Sequence, residues 1–521
     1  MNKVITAYEA AQLINDQARV AINGFGFGFG FPEELAKSIE TRFLESGKPE
    51  HLRLMFASGC GDGEYGNFGL NHFAHDGLVE QVIGGHLGLA HAFSDQIRTN
   101  QFAAYNFPQG VITHLFRAIS GGKPGIVTKV GLETFADPRV EGGKMNALAQ
   151  KDLVEVMKVH DQDYLFYPSQ QIDVALIRGT TADEDGNISI EHEGVRLETY
   201  HIAAAAKSCG GIVIAQVERL TKKGTLKPLA VEIPAALVDY IVVAEPENHM
   251  MNVNTLYNPS FSGEVVAPLA TMKALPMDIR KVIAKRCACE LKLDTVINLG
   301  IGVPEGIAAI AVEEGISDRL TMSVEAGAIG GIPGGKCNLG ASANVEALVG
   351  QPNIFDFYDG GGLDIAFLGL AQCDAQGNIN VSKFKGKMVG CGGFVNITQN
   401  TRDVVFCGSF TAGKSDIRIV DGKLQIIEDG PYTKFVEKVE QITFSGSYAT
   451  KSGQHVLYVS ERAVFELRDA HMVLTEIAPG VDLQKDILDK MDFMPEIAKD
   501  LKLMDACIFQ DVRMNRWEVT L

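Results

Sequence analysis

Short runs of apolar, often β-branched residues recur along the chain, separated by stretches with helical spacing. Residues 295–299 (TVINL) and 319–325 (RLTMSVE) are two such runs, and residues 306–315 (GIAAIAVEEG) lie between them. The runs fit buried strands and the stretch between them fits a helix, so the segment reads as strand–helix–strand. Strands alternating with helices predict parallel sheets, hence an α/β protein. Two segments read differently. Residues 416–430 (DIRIVDGKLQIIEDG) alternate like a hairpin, and residues 485–503 (KDILDKMDFMPEIAKDLKL) carry a helical pattern.

The pattern also repeats. Residues 173–190 (DVALIRGTTADEDGNISI) align without a gap on residues 364–381 (DIAFLGLAQCDAQGNINV). Asp173, Ala175, Asp183, Gly186, Asn187 and Ile188 return as Asp364, Ala366, Asp374, Gly377, Asn378 and Ile379. Each copy reads as an apolar strand, a D-x-x-G-N turn and a short alternating strand. Upstream, residues 20–36 (VAINGFGFGFGFPEELA) share a G-x-G-x-P-E core with residues 296–308 (VINLGIGVPEGIA). In both, a strand enters a Gly-rich turn and Pro32 or Pro304 opens a helix. Two echoes in the same order predict two similar domains, over residues 1–245 and 276–521, joined by a connector at 246–275.

Length agrees with this division, because 521 residues exceed what one core organises. The net charge of −18 argues against nucleic acid or an anionic membrane as the main partner. The start, MNKVITAYEAAQLIND, has no signal-type apolar core, and no run approaches the ~18 apolar residues of a spanning helix. A cytoplasmic location is expected. Nine Cys are scattered, and Cys287 and Cys289 stand too close for a zinc-finger spacing, so no metal site is expected.

Several motifs mislead. Residues 408–415 (GSFTAGKS) match a phosphate-loop pattern, yet the hairpin-like segment that follows denies it the helix such a loop needs. The glycines at 24–30 and 300–302 do not complete G-x-G-x-x-G. No G-x-S-x-G or H-E-x-x-H occurs. His72 and His75 read as surface or packing residues.

Glu325 stands out. It ends a strand, small residues follow it (AGAIGG), and the neighbouring strand ends in the turn at 300–304. Both turns should lie at the carboxyl ends of parallel strands, where open α/β sheets bind ligands. A carboxylate there can act as nucleophile, acid or base, or simply cap a turn or pair with a cation.

This stretch, Ser323-Val324-Glu325-Ala326-Gly327, resembles the catalytic segment of family I coenzyme A transferases, with Ala326 where the family pattern carries Asn. The resemblance extends to residues 23–32, to Pro108-Gln109-Gly110, to Gly300-Ile301-Gly302-Val303-Pro304, and to residues 355–384 and 390–400, the last two similar to the bacterial acetate/propionate group. It implies a covalent ping-pong transfer of coenzyme A between short-chain acyl-CoA and a free acid, through a glutamyl thioester on Glu325. Gln109 would donate to the oxyanion. Gly300–Pro304, Asn380, Gly392, Gly393 and Lys414 would contact coenzyme A. It further implies a homo-oligomer, with a tetramer favoured, and no permanently bound cofactor. An acyl-CoA hydrolase on the same scaffold, or a binding protein without turnover, remain alternatives.

Overall fold

Two parallel sheets organise the chain in the computed structural model, which describes residues 3–268 and 274–517. The first contains β1 (Arg19–Ile22), β2 (Leu52–Phe56), β3 (Val79–Gly84), β4 (Ala103–Asn106), β5 (Val174–Asp183), β6 (Ile212–Thr221) and β7 (Tyr240–Val243). Their order across the sheet is β7-β6-β5-β1-β2-β3-β4, all parallel. Central β5 is buried along its whole length. Layers on both faces explain why its first residues, 174–177 (VALI), are a continuous apolar run instead of an alternating one.

The second sheet centres on β8 (Thr295–Leu299), β9 (Leu320–Ser323), β10 (Ile365–Gly369), β11 (Asp403–Cys407) and β12 (His455–Val459). They lie in the order β9-β8-β10-β11-β12, again parallel. The sheet continues through β13 (Ala463–Arg468), β14 (His471–Ile477) and β15 (Glu496–Leu503). Each sheet carries one apolar cluster on either face. A fifth cluster, including Phe25, Phe29, Leu197, Val324 and Ala326, joins loops from both halves.

The repeated residues do the same work twice. Asp173 Oδ2 accepts the backbone N–H of Arg19 at 2.8 Å, and Asp364 Oδ2 accepts that of Val296 at 2.9 Å. Each aspartate thus ties its strand to the neighbour that leads into the Gly-rich turn. Asp183 Oδ1 accepts the N–H groups of Asp185, Gly186 and Asn187, and Asp374 Oδ1 those of Gln376 and Asn378. These are Asx turns, closed in both copies by the asparagine amide donating back to the aspartate.

The hairpin after residue 415 is present as antiparallel strands Asp416–Val420 and Lys423–Glu428. Residues 485–503 differ from expectation. Only a wide turn (Leu483–Ile487) and a short 3-10 turn (Leu488–Lys490) are helical, and Glu496–Leu503 is the edge strand β15. Pro495 stops the helical pattern, and pairing with the open edge of β14 outweighs local spacing. Of the expected connector, residues 269–273 lie outside the described residues.

His72 is fully buried in a short helical turn, Gly69–Phe73, that packs on helix α1 (Glu33–Ser46). Its Nε2 meets Glu33 at 2.7 Å and its Nδ1 meets Glu40 at 2.6 Å, while His75 Nε2 meets the other Glu40 oxygen at 2.6 Å. Burial alone would lower the pKa of His72, but hydrogen bonds to both carboxylates outweigh it and hold the group up at about 9. Burial likewise opposes ionisation of Glu40, yet the two histidines bring it down to about 2. Stability from His72 is therefore full below its unfolded pKa of ~6.5 and fades as pH rises through about 9. His72→Gln, which leaves two buried carboxylates without their cation, is expected to cost about 3–5 kcal/mol. Thermal unfolding of both proteins should show a gap at pH 6.5 that narrows toward pH 9; a constant gap would contradict the ion-pair account.

Candidate active site

Strand β9 ends at Ser323, and the chain turns at once. Val324 exchanges backbone hydrogen bonds with the far side of the turn, donating to Ala328 and accepting from Gly327, both at 2.9 Å. Gly327 has φ +110°, and a Cβ there would collide with Val349 O, so only glycine fits. Ala326 is fully buried in the cluster that joins the two halves, which leaves no space for a larger residue without repacking. The turn therefore presents Glu325 alone.

Glu325 lines a cavity of about 250 Å³ at the carboxyl ends of β8, β9 and β10. Most of the lining is apolar, including Leu299, Val324, Leu368, Val389 and Phe394. The Glu325 carboxylate takes no hydrogen bond from any described residue, and burial pushes its pKa up to about 7. His86 lines the same cavity just beyond β3, and burial lowers it to about 4, so it is neutral at physiological pH.

The opposite wall comes from residues 389–393. Leu87 and Gly88 donate to Val389 O at 2.8 and 3.0 Å, Gly392 donates to Gly85 O at 2.8 Å, and Cys391 N–H donates to Asn106 Oδ1 at 3.0 Å. Asn106 in turn donates to Gly84 O and Gly85 O. This segment of the second half is thus sewn to the strand ends of the first. Gly393 lies directly against Glu325, and a Cβ there would strike Oε2. A Cβ on Gly392 would stand 3.7 Å from Gln109 Oε1 and 4.0 Å from the His86 ring. Gln109 begins helix α2 (Gln109–Ser120), and its N–H donates to Gly392 O at 2.9 Å. Its buried side-chain amide has no partner on either atom, a costly state for a group with no polar task.

The structure thus brings Glu325 against Gly393 and Gln109 next to Gly392, with Gly300 and Ile301 on the cavity wall; Gln109 itself is buried and does not line the cavity. Gly302, Val303 and Pro304 continue that turn outside the lining. Asn380 is elsewhere and fully occupied: its amide donates to Gln372 and Lys383 O and accepts from Ser382 and Lys383 N–H. Lys414 is exposed and does not line the cavity. Around it, the phosphate-loop lookalike spends its polar groups internally, with Phe410 N–H on Glu461 and Lys434 Nζ on Ser409 O, both at 2.8 Å. His86 escaped the sequence reading, although the strand-end logic that marked Glu325 also applies to Gly84-Gly85-His86 after β3.

The profile of the family described as coenzyme A transferase matches residues 4–244. A caffeate CoA-transferase of Acetobacterium woodii is 48% identical over 98% of this chain and 98% of its own length. The chain belongs to the coenzyme A transferase family. Among solved structures, the apoenzyme of the Escherichia coli O157:H7 acyl-CoA transferase YdiF superposes with a TM-score of 0.94, at 40% identity, over 99% of this chain and 97% of that one. A thioester complex of the same enzyme with CoA gives 0.93 at 39% identity, with the same coverage. The two-sheet α/β architecture is thus that of a coenzyme A transferase.

Holding Glu325 in this apolar wall costs free energy whenever it is ionised. The folded pKa lies above the unfolded value, so the cost is absent below ~4.5, grows through about 7 and is constant above. Glu325→Gln should therefore melt at a higher temperature than the native chain at pH 8 and at nearly the same temperature at pH 4.5. Equal melting at both pH values would show that the carboxylate is well solvated.

Proposed function

We propose that this protein moves coenzyme A between a short-chain acyl-CoA and a free carboxylate, through a thioester on Glu325. One observation carries the reading: a carboxylate without partners lies against Gly393 in the wall of an apolar cavity, and the unpartnered amide of Gln109 lies next to the adjoining Gly392. A Glu325 oxygen attacks the acyl-CoA carbonyl, the resulting oxyanion collapses, and the C–S bond breaks to leave an acyl-glutamyl anhydride and CoA thiolate. The thiolate attacks the glutamyl carbonyl and expels the first acid, giving the glutamyl–CoA thioester. The acceptor carboxylate then reverses both steps. Two moderate barriers replace one high one.

Desolvation serves this chemistry. A carboxylate stripped of water and hydrogen bonds is a stronger nucleophile than a solvated one, and water kept from the thioester cannot hydrolyse it. Gln109 donates its amide N–H to the oxyanion. The cavity lining contains no Lys or Arg, which favours monocarboxylates of the acetate, propionate, butyrate or acetoacetate class over diacids. The relatives support the route, since one is named for caffeate and another has a structure described as a thioester complex with CoA. Residues 1–245 and 276–521 act as two domains that close the site between them, with 246–275 as the connector. Coenzyme A is a substrate, and no resident cofactor takes part.

Borohydride added to the protein with acetyl-CoA reduces a glutamyl thioester to an alcohol. Mass spectrometry should find that change on Glu325, and transfer should need an acceptor acid. Acetyl-CoA consumed with Glu325 unmodified would point to direct hydrolysis instead. kcat/KM should rise with pH as Glu325 ionises, with a midpoint near 7. Gln109→Ala should lower kcat about 10²–10³-fold while the acyl-CoA KM stays nearly constant, because the lost donor acts on the oxyanion.

A further inference from the structure

The first N–H groups of a helix have no partner within it, and Pro108, at the cap position of α2, supplies no side-chain acceptor. Here the acceptors come from the other half of the chain. Gln109 N–H donates to Gly392 O, and Gly110 N–H donates to Asn396 Oδ1 at 3.0 Å. Asn396 lies in the short helix α3 (Phe394–Gln399), three residues after Gly393, and is fully buried. Its Nδ2 donates to both oxygens of Asp359, at 2.9 and 3.2 Å. That carboxylate fixes the amide's orientation, because only with Oδ1 toward Gly110 can Nδ2 face an acceptor.

The chain of contacts then returns to α2. His114, one turn beyond Gly110, has Nδ1 3.7 Å from Asp359 and Nε2 3.2 Å from Asp356, and Arg117 forks onto Asp356. There is little slack. A Cβ on Gly110 would stand 2.5 Å from Asn396 Nδ2 and 2.7 Å from Phe355.

We propose that Asn396 is a positioning residue for the transfer reaction: held by Asp359, it caps α2 from the other half and fixes the Gln109 amide next to Gly392. This role rests on the function proposed above. It acts through Gln109, and that separates it from a contribution to folding alone. A displacement of about 1 Å can cost about 10²-fold in rate. Asn396→Ala should therefore lower kcat between 10- and 100-fold, with the acyl-CoA KM within about twofold of native.

The same substitution in a Gln109→Ala background should cost less than about threefold, since the group it positions is gone. Asn396→Asp keeps the acceptor for Gly110 but sets it against the Asp359 carboxylate, and kcat should fall. The exchange Asn396→Asp with Asp359→Asn rebuilds the same hydrogen bonds with donor and acceptor reversed, and should restore kcat to within about threefold. Thermal melting of each variant reports folding separately. Native kcat in Asn396→Ala, an equal loss in the Gln109→Ala background, or no rescue by the exchange would each overturn the positioning role. A native protein that transfers no coenzyme A would overturn the function as well, and the two failures are distinct.

Discussion

The site depends on one stretch of main chain that can carry almost no side chain. Residues 389–393 leave the second half and bind, atom for atom, to the ends of β3 and β4 in the first. Gly390 and Gly392 hold positive φ, and a Cβ on Gly390 would press on Gly85 O. Gly393 must yield its space to Glu325. Three demands meet there: left-handed backbone, contact with the opposite strand ends, and a carboxylate packed on Cα. Glycine satisfies all three, and each other feature of the cavity is placed by reference to this segment.

The second constraint is electrostatic. A nucleophilic carboxylate must be desolvated to react and ionised to attack, and desolvation opposes ionisation. The chain settles this at about 7 for Glu325, with no cation nearby to pull the value down. His86 and Cys391, the other titratable groups in the lining, are both held neutral by burial and add no charge. Several other buried charges are treated in the opposite way, Glu198 excepted, whose two oxygens also lack a partner and whose pKa burial raises to about 8. Arg178 with Glu193, Arg462 with Glu461, and His72 with Glu33 and Glu40 are each paired and hydrogen-bonded. Glu325 is left unpaired where pairing would quench the proposed reaction.

Much of this was legible because it is local. Asp173 and Asp364 hold the next strand, Asp183 and Asp374 fold their own turns, and such residues mark a sequence at fixed spacing. Glu325 was visible as a carboxylate at a strand end followed by small residues, whereas Gln109 was marked only by the resemblance of Pro108-Gln109-Gly110 to the family's segment. Asn396 and Asn106 were not visible, because their partners lie in the other half, and nothing in their neighbours signals that distance. Asn380 looked free in the same way, yet its amide is consumed by its own turn. The edge strand β15 was misread because its pairing with β14, not its spacing, decides its form.

The two halves carry similar sheets but only one carboxylate proposed to react, and topology shows where their similarity breaks. β8 with β9 and β10 corresponds to β1 with β2 and β5: in each half the strand entering the Gly-rich turn lies between the next strand and the strand of the Asp turn. The partner of the Glu325 turn is therefore the chain after β2, which reads Ala57-Ser58-Gly59-Cys60 and is buried. There Gly59 N–H donates to His86 O, so that strand end backs the loop carrying His86. In the proposed reaction one half uses the turn as a platform for nucleophilic attack. The other spends it on shaping the opposite wall, and its polar contribution comes instead from Gln109 at the head of a helix. A single cavity between unlike halves needs only one nucleophile, and a second carboxylate facing it across this apolar wall would drive one of the two to stay protonated.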